Sequence, residues 1–500
     1  MSLETKSETF DLGKLGLLSQ SNPERITYGN LQYPTFFINR KNNTNILYGS
    51  CRKTHGEGQD ALVKGDQEVS ENYLLLTRRP SALFLLGDQI YADDIADPLI
   101  PFLKELGENI VGTKENLADV EQKLTGETYN ISLDQIQGRQ KISDELCKFT
   151  STHAGNHLFR YGEFVSMYLL NWNPDLWSYL DVQKYIAYSG YYGDDRTPQN
   201  ISTLEKLDKK QFYSHLNLLE NFKKSLPQVR RLLANTPTYM IFDDHDITDD
   251  WNLSAKWKKK VWEAPLGRHV VANGLATYWL FQGWGNNPDS FHESFIDTMK
   301  AYFRSFKVNS KAYNKWVQQL WNYSNWHFVA PTKPKAIFLD TRTQRAYDKG
   351  TDRGPRLLNE QSYKKITPFL RQNRKNRFNQ LLLISPAPLL EMNEVEKLLK
   401  DYIYPLRSKG IHVHRELDLE TWIFNSKGYS ELIHWILKQP VDDVIVLSCD
   451  AHRGFSVGAK LKYKGRNVNL TQHTSSPFKN ESFPSALKTI SNKLLSQEKE

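Results

Sequence analysis

The sequence predicts a layered α/β fold in which short buried strands alternate with helices. Three observations lead there. Apolar runs of four or five residues recur at 46–49, 82–86, 238–242, 336–339, 381–384 and 444–447, none with polar alternation. Such runs suit strands covered on both faces. Stretches with helical periodicity separate them, and each run ends abruptly in polar or small residues. Strands divided by helices must stack into layers to bury both kinds of apolar face.

Taken in order, residues 1–25 read as a polar lead, and 26–45 alternate weakly (ITYGNLQYPTFFINR), predicting a small N-terminal β-layer. Residues 98–235 form one long helical insertion, within which 157–180 carries a heavy apolar face. Segments 269–284, 297–321, 359–379, 392–403 and 427–438 have helical spacing. Runs 459–464 and 467–473 flank a Lys-Gly-Arg turn and predict a hairpin. Residues 485–500 read as a charged amphipathic helix or a frayed end. The organisation expected is a lead over 1–45, one domain over 46–480 and a charged tail over 481–500.

Composition bounds the function. The 500 residues are 39% hydrophobic, with 12 Trp, 25 Tyr and 24 Phe, enough to fill a large core. A net charge of +8 suits phosphate-bearing partners. The Lys and Arg residues are dispersed, with no basic arm, so nucleic acid is expected only as a phosphodiester substrate. Three cysteines, Cys51, Cys147 and Cys449, make no disulfide framework and point to a reducing compartment or to metal ligation. The first twenty residues lack a basic segment followed by an apolar one, so no signal peptide is expected. The longest apolar stretch, Phe164 to Leu180, is broken by Asn171, Asn173, Pro174 and Asp175, so no membrane span is expected. A cytoplasmic location follows, with export by a signal-less route left open.

Chemistry gathers where the runs end. Run 46–49 is followed by Ser50-Cys51-Arg52-Lys53, run 82–86 by Gly87-Asp88-Gln89-Ile90-Tyr91-Ala92-Asp93-Asp94. Run 238–242 is followed by Asp243-Asp244-His245-Asp246, and run 444–447 by Ser448-Cys449-Asp450-Ala451-His452. Open α/β sheets place ligands at strand carboxyl ends, so four ends carrying ligand-type residues predict one site. Asp88 and Tyr91 share a face if a helical turn follows the strand. Asp450 and His452 point the same way while the chain stays extended, which leaves Cys449 facing the interior. Three carboxylates within Asp243–Asp246 repel unless a cation joins them. Each piece also has a plain reading: Asp88 as a helix N-cap, Cys51 as a small core residue, His452 as a satisfied histidine.

These segments resemble the PhoD-like branch of the metallophosphoesterases. The matching motifs are GSCR at Gly49–Arg52, GDQIYAD at Gly87–Asp93, DDHD at Asp243–Asp246 and S-x-D-x-H at Ser448–His452. LDTR at Leu339–Arg342 and ISPAPL at Ile384–Leu389 support them, so the resemblance spans about 45 to 480. It implies a four-layer αββα metallophosphoesterase core and hydrolysis of phosphate monoesters or diesters. It implies Fe3+ held by Cys51, Asp88 and Tyr91, with Asp88 bridging to a second metal, Ca2+. Asp244, Asp450 and His452 would complete the metal set. Thiolate and phenolate suit a ferric ion, and carboxylates suit a hard cation. His245 is the candidate general acid, Arg52 the candidate phosphate clamp and Arg342 a second one; a structural ion pair is the alternative for Arg342. His153, His157, Arg160 and Asn273 read as packing or supporting residues. Cys449 departs from the family's glycine, and the twin-arginine signal of secreted members is missing. The competing functional reading is a catalytically silent module that holds a metal or a phosphorylated ligand on the same fold.

Overall fold

The computed structural model describes residues 2–4, 8–39, 44–130, 132–180, 201–349, 354–371, 380–390, 421–449, 454–475 and 477–480. All six apolar runs are strands: β3 (Ile46–Gly49), β4 (Ala82–Leu85), β5 (Thr238–Met240), β7 (Ala336–Phe338), β8 (Gln380–Ser385) and β9 (Asp443–Ser448). The predicted hairpin forms as β10 (Phe455–Tyr463) and β11 (Arg466–Thr474). The three-residue strand β6 (Phe328–Ala330) is too short to leave a period-two signal.

The protein is a mixed α/β fold. β3, β4 and β5 form a parallel three-stranded sheet. The other sheet runs β10-β11-β9-β8-β7-β6, parallel in its middle, with β10 and β6 as antiparallel edges. Phe84, Leu86 and Ile241 of the first sheet pack against Phe338, Ile384, Leu447 and Cys449 of the second. The rings of Phe84 and Phe338 meet edge-on at 5.0 Å. Intervening residues face outward, because successive strand side chains alternate. Leu83 and Leu85 meet Leu62 and Val69 of the helix Leu62–Asn72 and Val229 and Leu232 of the helix Ile201–Asn235. Ile337, Leu381, Leu383, Val444 and Val446 meet Leu432 and Ile436 of the helix Ser426–Lys438, and Ile366 and Leu370 of Glu360–Arg371. Both faces of the strands are thus covered, which is why the runs lack polar alternation. Each fully buried Leu or Phe contributes about 1.5–3 kcal/mol.

The insertion shares the largest core among the described residues with residues 242–326. The helix Tyr161–Trp172 is buried over nearly its whole circumference and packs against Ile100–Val111 and Pro265–Tyr278. Gly107 and Gly162 permit this, since a Cβ on Gly107 would lie 2.4 Å from the Gly162 carbonyl carbon. Glu163 anchors the helix start, bonded to Arg139 at 2.9 Å and Arg160 at 2.9 Å.

Several expectations change. Residues 26–39 contain no strand, because Gly29, Asn30 and Pro34 interrupt the alternation and Ile26, Thr27 and Tyr28 bury themselves without a ladder. Tyr28 donates instead to Asp66 at 2.7 Å. The N-terminal strands are β1 (Ser2–Glu4) and β2 (Thr9–Asp11), paired antiparallel within the segment read as a lead. Segment 297–321 is two helices, Glu293–Phe303 and Lys311–Asn322, separated where Phe306 and Asn309 adopt positive φ. Segments 392–403 and 485–500 lie outside the described residues. Among the described residues, no helix is long and apolar enough to cross a membrane.

Candidate metal centre

Parallel register sets the carboxyl ends of β3, β4 and β5 side by side. The segments after them are then sewn together by backbone: Cys51 N–H donates to Gly87 O at 3.3 Å, Arg52 N–H to Asp88 O at 3.0 Å, and Ala92 N–H to His245 O at 2.7 Å. Gly87 has φ of +126°, and a Cβ there would sit 2.4 Å from Asp243 Cβ, so only glycine lets these segments touch. Cys51 (φ +58°) and Asp88 (φ +53°) both occupy the left-handed region. Non-glycine residues held there cost about 1–3 kcal/mol each, a strain that clusters at functional sites.

Asp246 restrains this turn. Its carboxylate accepts the N–H groups of Asp88 (2.9 Å), Gln89 (3.1 Å), Ile90 (3.2 Å) and Asp243 (3.0 Å), and the Tyr168 hydroxyl at 3.3 Å. No helix follows Asp88. The turn itself brings Tyr91 back, so that its hydroxyl donates to Asp88 Oδ2 at 3.5 Å and the Cys51 thiol reaches the same oxygen at 3.4 Å. The N-cap reading of Asp88 therefore falls.

Asp88, Asp243 and Asp244 are buried and each offers an oxygen within 4.8 Å of the others. Asp88 Oδ1 is buried with no hydrogen-bond partner among the described residues. Burial, and then Asp243, Asp244 and Asp246, push the Asp88 carboxyl well above its ordinary range against the pull of His245. Burial and Asp244 raise Asp243 to about 6 despite Arg342. Burial opposes ionisation of Asp244 too, yet Arg342 and His245 hold its carboxyl below the ordinary value. An orphaned carboxylate oxygen among three acids, a thiol and a phenol is a donor set that fits a cation.

His245 stacks on Tyr91 at 4.4 Å between centroids and holds Asp93 Oδ1 at 2.8 Å through Nδ1. Its side chain is 24% exposed, so Nε2 is the nitrogen left for chemistry. Burial disfavours the imidazolium, but Asp93, Asp244 and Asp88 raise the His245 pKa well above its ordinary value. Asp93 also accepts Ser151 Oγ at 2.7 Å and the Asp249 N–H at 3.2 Å.

The sequence-derived candidates thus divide. Cys51, Asp88, Tyr91, Asp244 and His245 come together. Arg342 joins them, but its Nε bonds Asp243 and its Nη2 lies 3.0 Å from Asp244, so it braces carboxylates. Arg52 does not face the cluster. Its guanidinium pairs with Asp60 at 2.8 Å, donates to Asn171 O at 2.7 Å and lies between the Trp172 and Phe222 rings. The clamp role expected of Arg52 is corrected on that ground: a buried cation held this way cannot turn to a phosphate without abandoning Asp60. Asp450 and His452 lie outside the described residues. Cys449 is buried between the sheets, its thiol pushed up to about 12 by burial. His157, Arg160 and Asn273 are buried supports, whereas His153 is exposed.

Three residues stood outside the candidate set, although the acidic run Asp243–Asp246 had been noted. Asp243 is a cluster member, and its adjacency to Asp244 was the available signal. Asp93, the last residue of GDQIYAD, aligns His245. Asp246 reads as a third ligand in sequence but turns to the backbone.

No protein-family model and no curated protein matches this sequence. Among solved structures, one titled "Structure of PhoD" aligns with a TM-score of 0.42 at 9% identity, over 87% of this chain and 58% of that chain. The aligned region thus spans 58% of that structure's length.

Proposed function

We propose that this chain is a metal-dependent phosphoesterase, a hydrolase of phosphate monoesters or diesters, with its catalytic domain over 46–480. The observation that carries the reading is Asp88: a strained, fully buried carboxylate with one oxygen unpartnered among the described residues, set between a thiol, a phenol and two further acids. Helix-flanked paired sheets with this cluster at their strand ends support a four-layer αββα metallophosphoesterase core.

Cys51, Asp88 and Tyr91 would hold a ferric ion, and Asp88 with Asp244 a harder cation such as Ca2+; Asp450 and His452 are proposed to complete the set. When bound, the ions would acidify water and offset charge on phosphoryl oxygens. The chain's own residues do the rest. Asp246 fixes the Asp88 turn, and Arg342 keeps Asp243 and Asp244 convergent. Asp93 holds His245 at Nδ1, so that Nε2 carries the proton a leaving oxygen requires.

A silent binding module is favoured by one observation: Arg342 already neutralises part of the acidic cluster. Asp88→Asn with metal analysis and a panel of aryl mono- and diesters separates the two. The enzyme reading expects wild-type metal and turnover, both lost in Asp88→Asn; wild-type metal without turnover favours the module. Full activity in Asp88→Asn defeats the assignment of that residue.

A further inference from the structure

Away from the acidic cluster, the protein carries an apolar face that its own core does not use. Leu74, Leu75 and Leu76 follow the helix Leu62–Asn72 and are 67%, 52% and 54% exposed. They sit on a turn closed by Arg78 N–H to Leu75 O at 2.8 Å, and Asn45 Nδ2 donates to Arg78 O at 2.8 Å. Tyr33, Phe36 and Ile38 are exposed to a similar degree. The two segments are neighbours, because Arg79 donates to Thr35 Oγ1 at 3.0 Å and to Tyr73 O at 3.1 Å. Six large apolar side chains on adjoining loops exceed the scattered exposure usual on a soluble surface.

Beside the leucine turn lies a cavity of about 480 Å³ against the edge of β3. Ile46, Leu47, Leu62 and Phe478 form its apolar wall, with Lys64 and Arg78 among its lining groups. Both cations are exposed, and neither side chain has a partner among the described residues. The facing acid, Glu68, is engaged by Asn72 Nδ2 at 3.0 Å. An apolar slot with two unpaired cations, next to a protruding leucine turn, is complementary to an anionic amphiphile: acyl chain to the slot, headgroup to the cations.

We propose that this face docks the protein peripherally on an anionic phospholipid surface, the leucines entering the interfacial layer and Lys64 and Arg78 meeting headgroup phosphates. A flat protein interface would not require three consecutive leucines raised on a turn, and the net charge of +8 favours the same partner. Tyr33 and Phe36 suit the headgroup depth.

The test is co-sedimentation of the full chain with phosphatidylcholine vesicles, with and without phosphatidylglycerol. Binding is expected only to the anionic vesicles and weakens with added salt. Replacing Leu74, Leu75 and Leu76 by Ser weakens it on the order of 10-fold or more. Lys64→Gln and Arg78→Gln weaken it roughly fivefold each. The glutamine variants keep the test decisive should the leucine variant fold poorly. Absent vesicle binding, binding indifferent to both sets of variants, or a solution dimer or protein complex abolished by the leucine variant would each overturn the proposal. Hydrolysis of a soluble aryl phosphate reads the acidic cluster independently and is unchanged in all these variants.

Discussion

Asp246 makes the sharpest test of how the centre is held. Its two oxygens divide the work: Oδ2 accepts Asp88 and Asp243 N–H, and Oδ1 accepts Gln89 and Ile90 N–H together with the Tyr168 hydroxyl. Asp246→Asn preserves shape but supplies one acceptor and one donor. Whichever way the amide turns, its NH2 confronts a pair of backbone N–H groups that have no other acceptor among the described residues. If the NH2 faces Gln89 and Ile90, Tyr168 can rotate to accept from it, so the net loss is two bonds to a charged acceptor. At about 1.5–3 kcal/mol each, the cost is about 3–6 kcal/mol. For a chain of this size that lowers Tm by roughly 3–6 °C. The turn it releases is the one holding Asp88 at positive φ, so metal affinity should fall with stability although Asp246 touches no metal. Thermal melts of protein with and without added metal, beside metal titration, read both effects. An Asn variant that melts and binds metal like the wild type would refute the assignment of Asp246 as the residue that restrains this turn.

Four further outcomes follow from the same contacts. Asp93→Asn removes the carboxylate that raises His245, so the alkaline limb of a kcat profile should move to lower pH, with about a 100-fold loss on substrates with poor leaving groups; equal loss on all substrates would assign His245 to positioning. Arg52→Ala strands the buried Asp60 carboxylate and should cost about 3–5 kcal/mol of stability. The surviving folded Arg52→Ala fraction should show unchanged KM, and a selective rise in KM would restore the clamp. Burial opposes the charge on Glu163, but Arg139 and Arg160 hold its pKa well below the ordinary 4.5. Its stabilisation is therefore complete above pH 4.5 and drains as pH falls through the depressed folded value; Glu163→Gln should flatten that acid limb in denaturant melts at stepped pH. Chelation of the metal-loaded enzyme should abolish ester hydrolysis and any thiolate or phenolate charge-transfer absorption together; a colourless active enzyme would exclude ferric ligation by Cys51 and Tyr91.

Much of this molecule is legible in one dimension because strand burial is a local property of composition. Runs such as Leu83–Leu86 are apolar at every position, and only a strand covered on both sides can use them all. The abrupt polarity change at Gly87, Asp243 and Ser50 marks carboxyl ends, and parallel strands turn those ends into one place. Cys51, Asp88, Tyr91, Asp244 and His245 were therefore nameable before any coordinate.

What the sequence could not decide is which way equivalent-looking charges turn. Asp243, Asp244 and Asp246 are the same side chain within four positions, yet two converge with Asp88 and one faces the backbone of residues 88–90. Arg52 and Arg342 both end strand motifs, yet Arg52 lies between two rings beside Asp60 while Arg342 reaches the acids. Those outcomes depend on partners roughly 80 to 170 residues away: Trp172 and Phe222 for one arginine, Asp243 for the other, Tyr168 for Asp246. A charge in a low-dielectric interior takes whatever complement the packed chain brings within hydrogen-bond reach, and only the tertiary structure determines what that is.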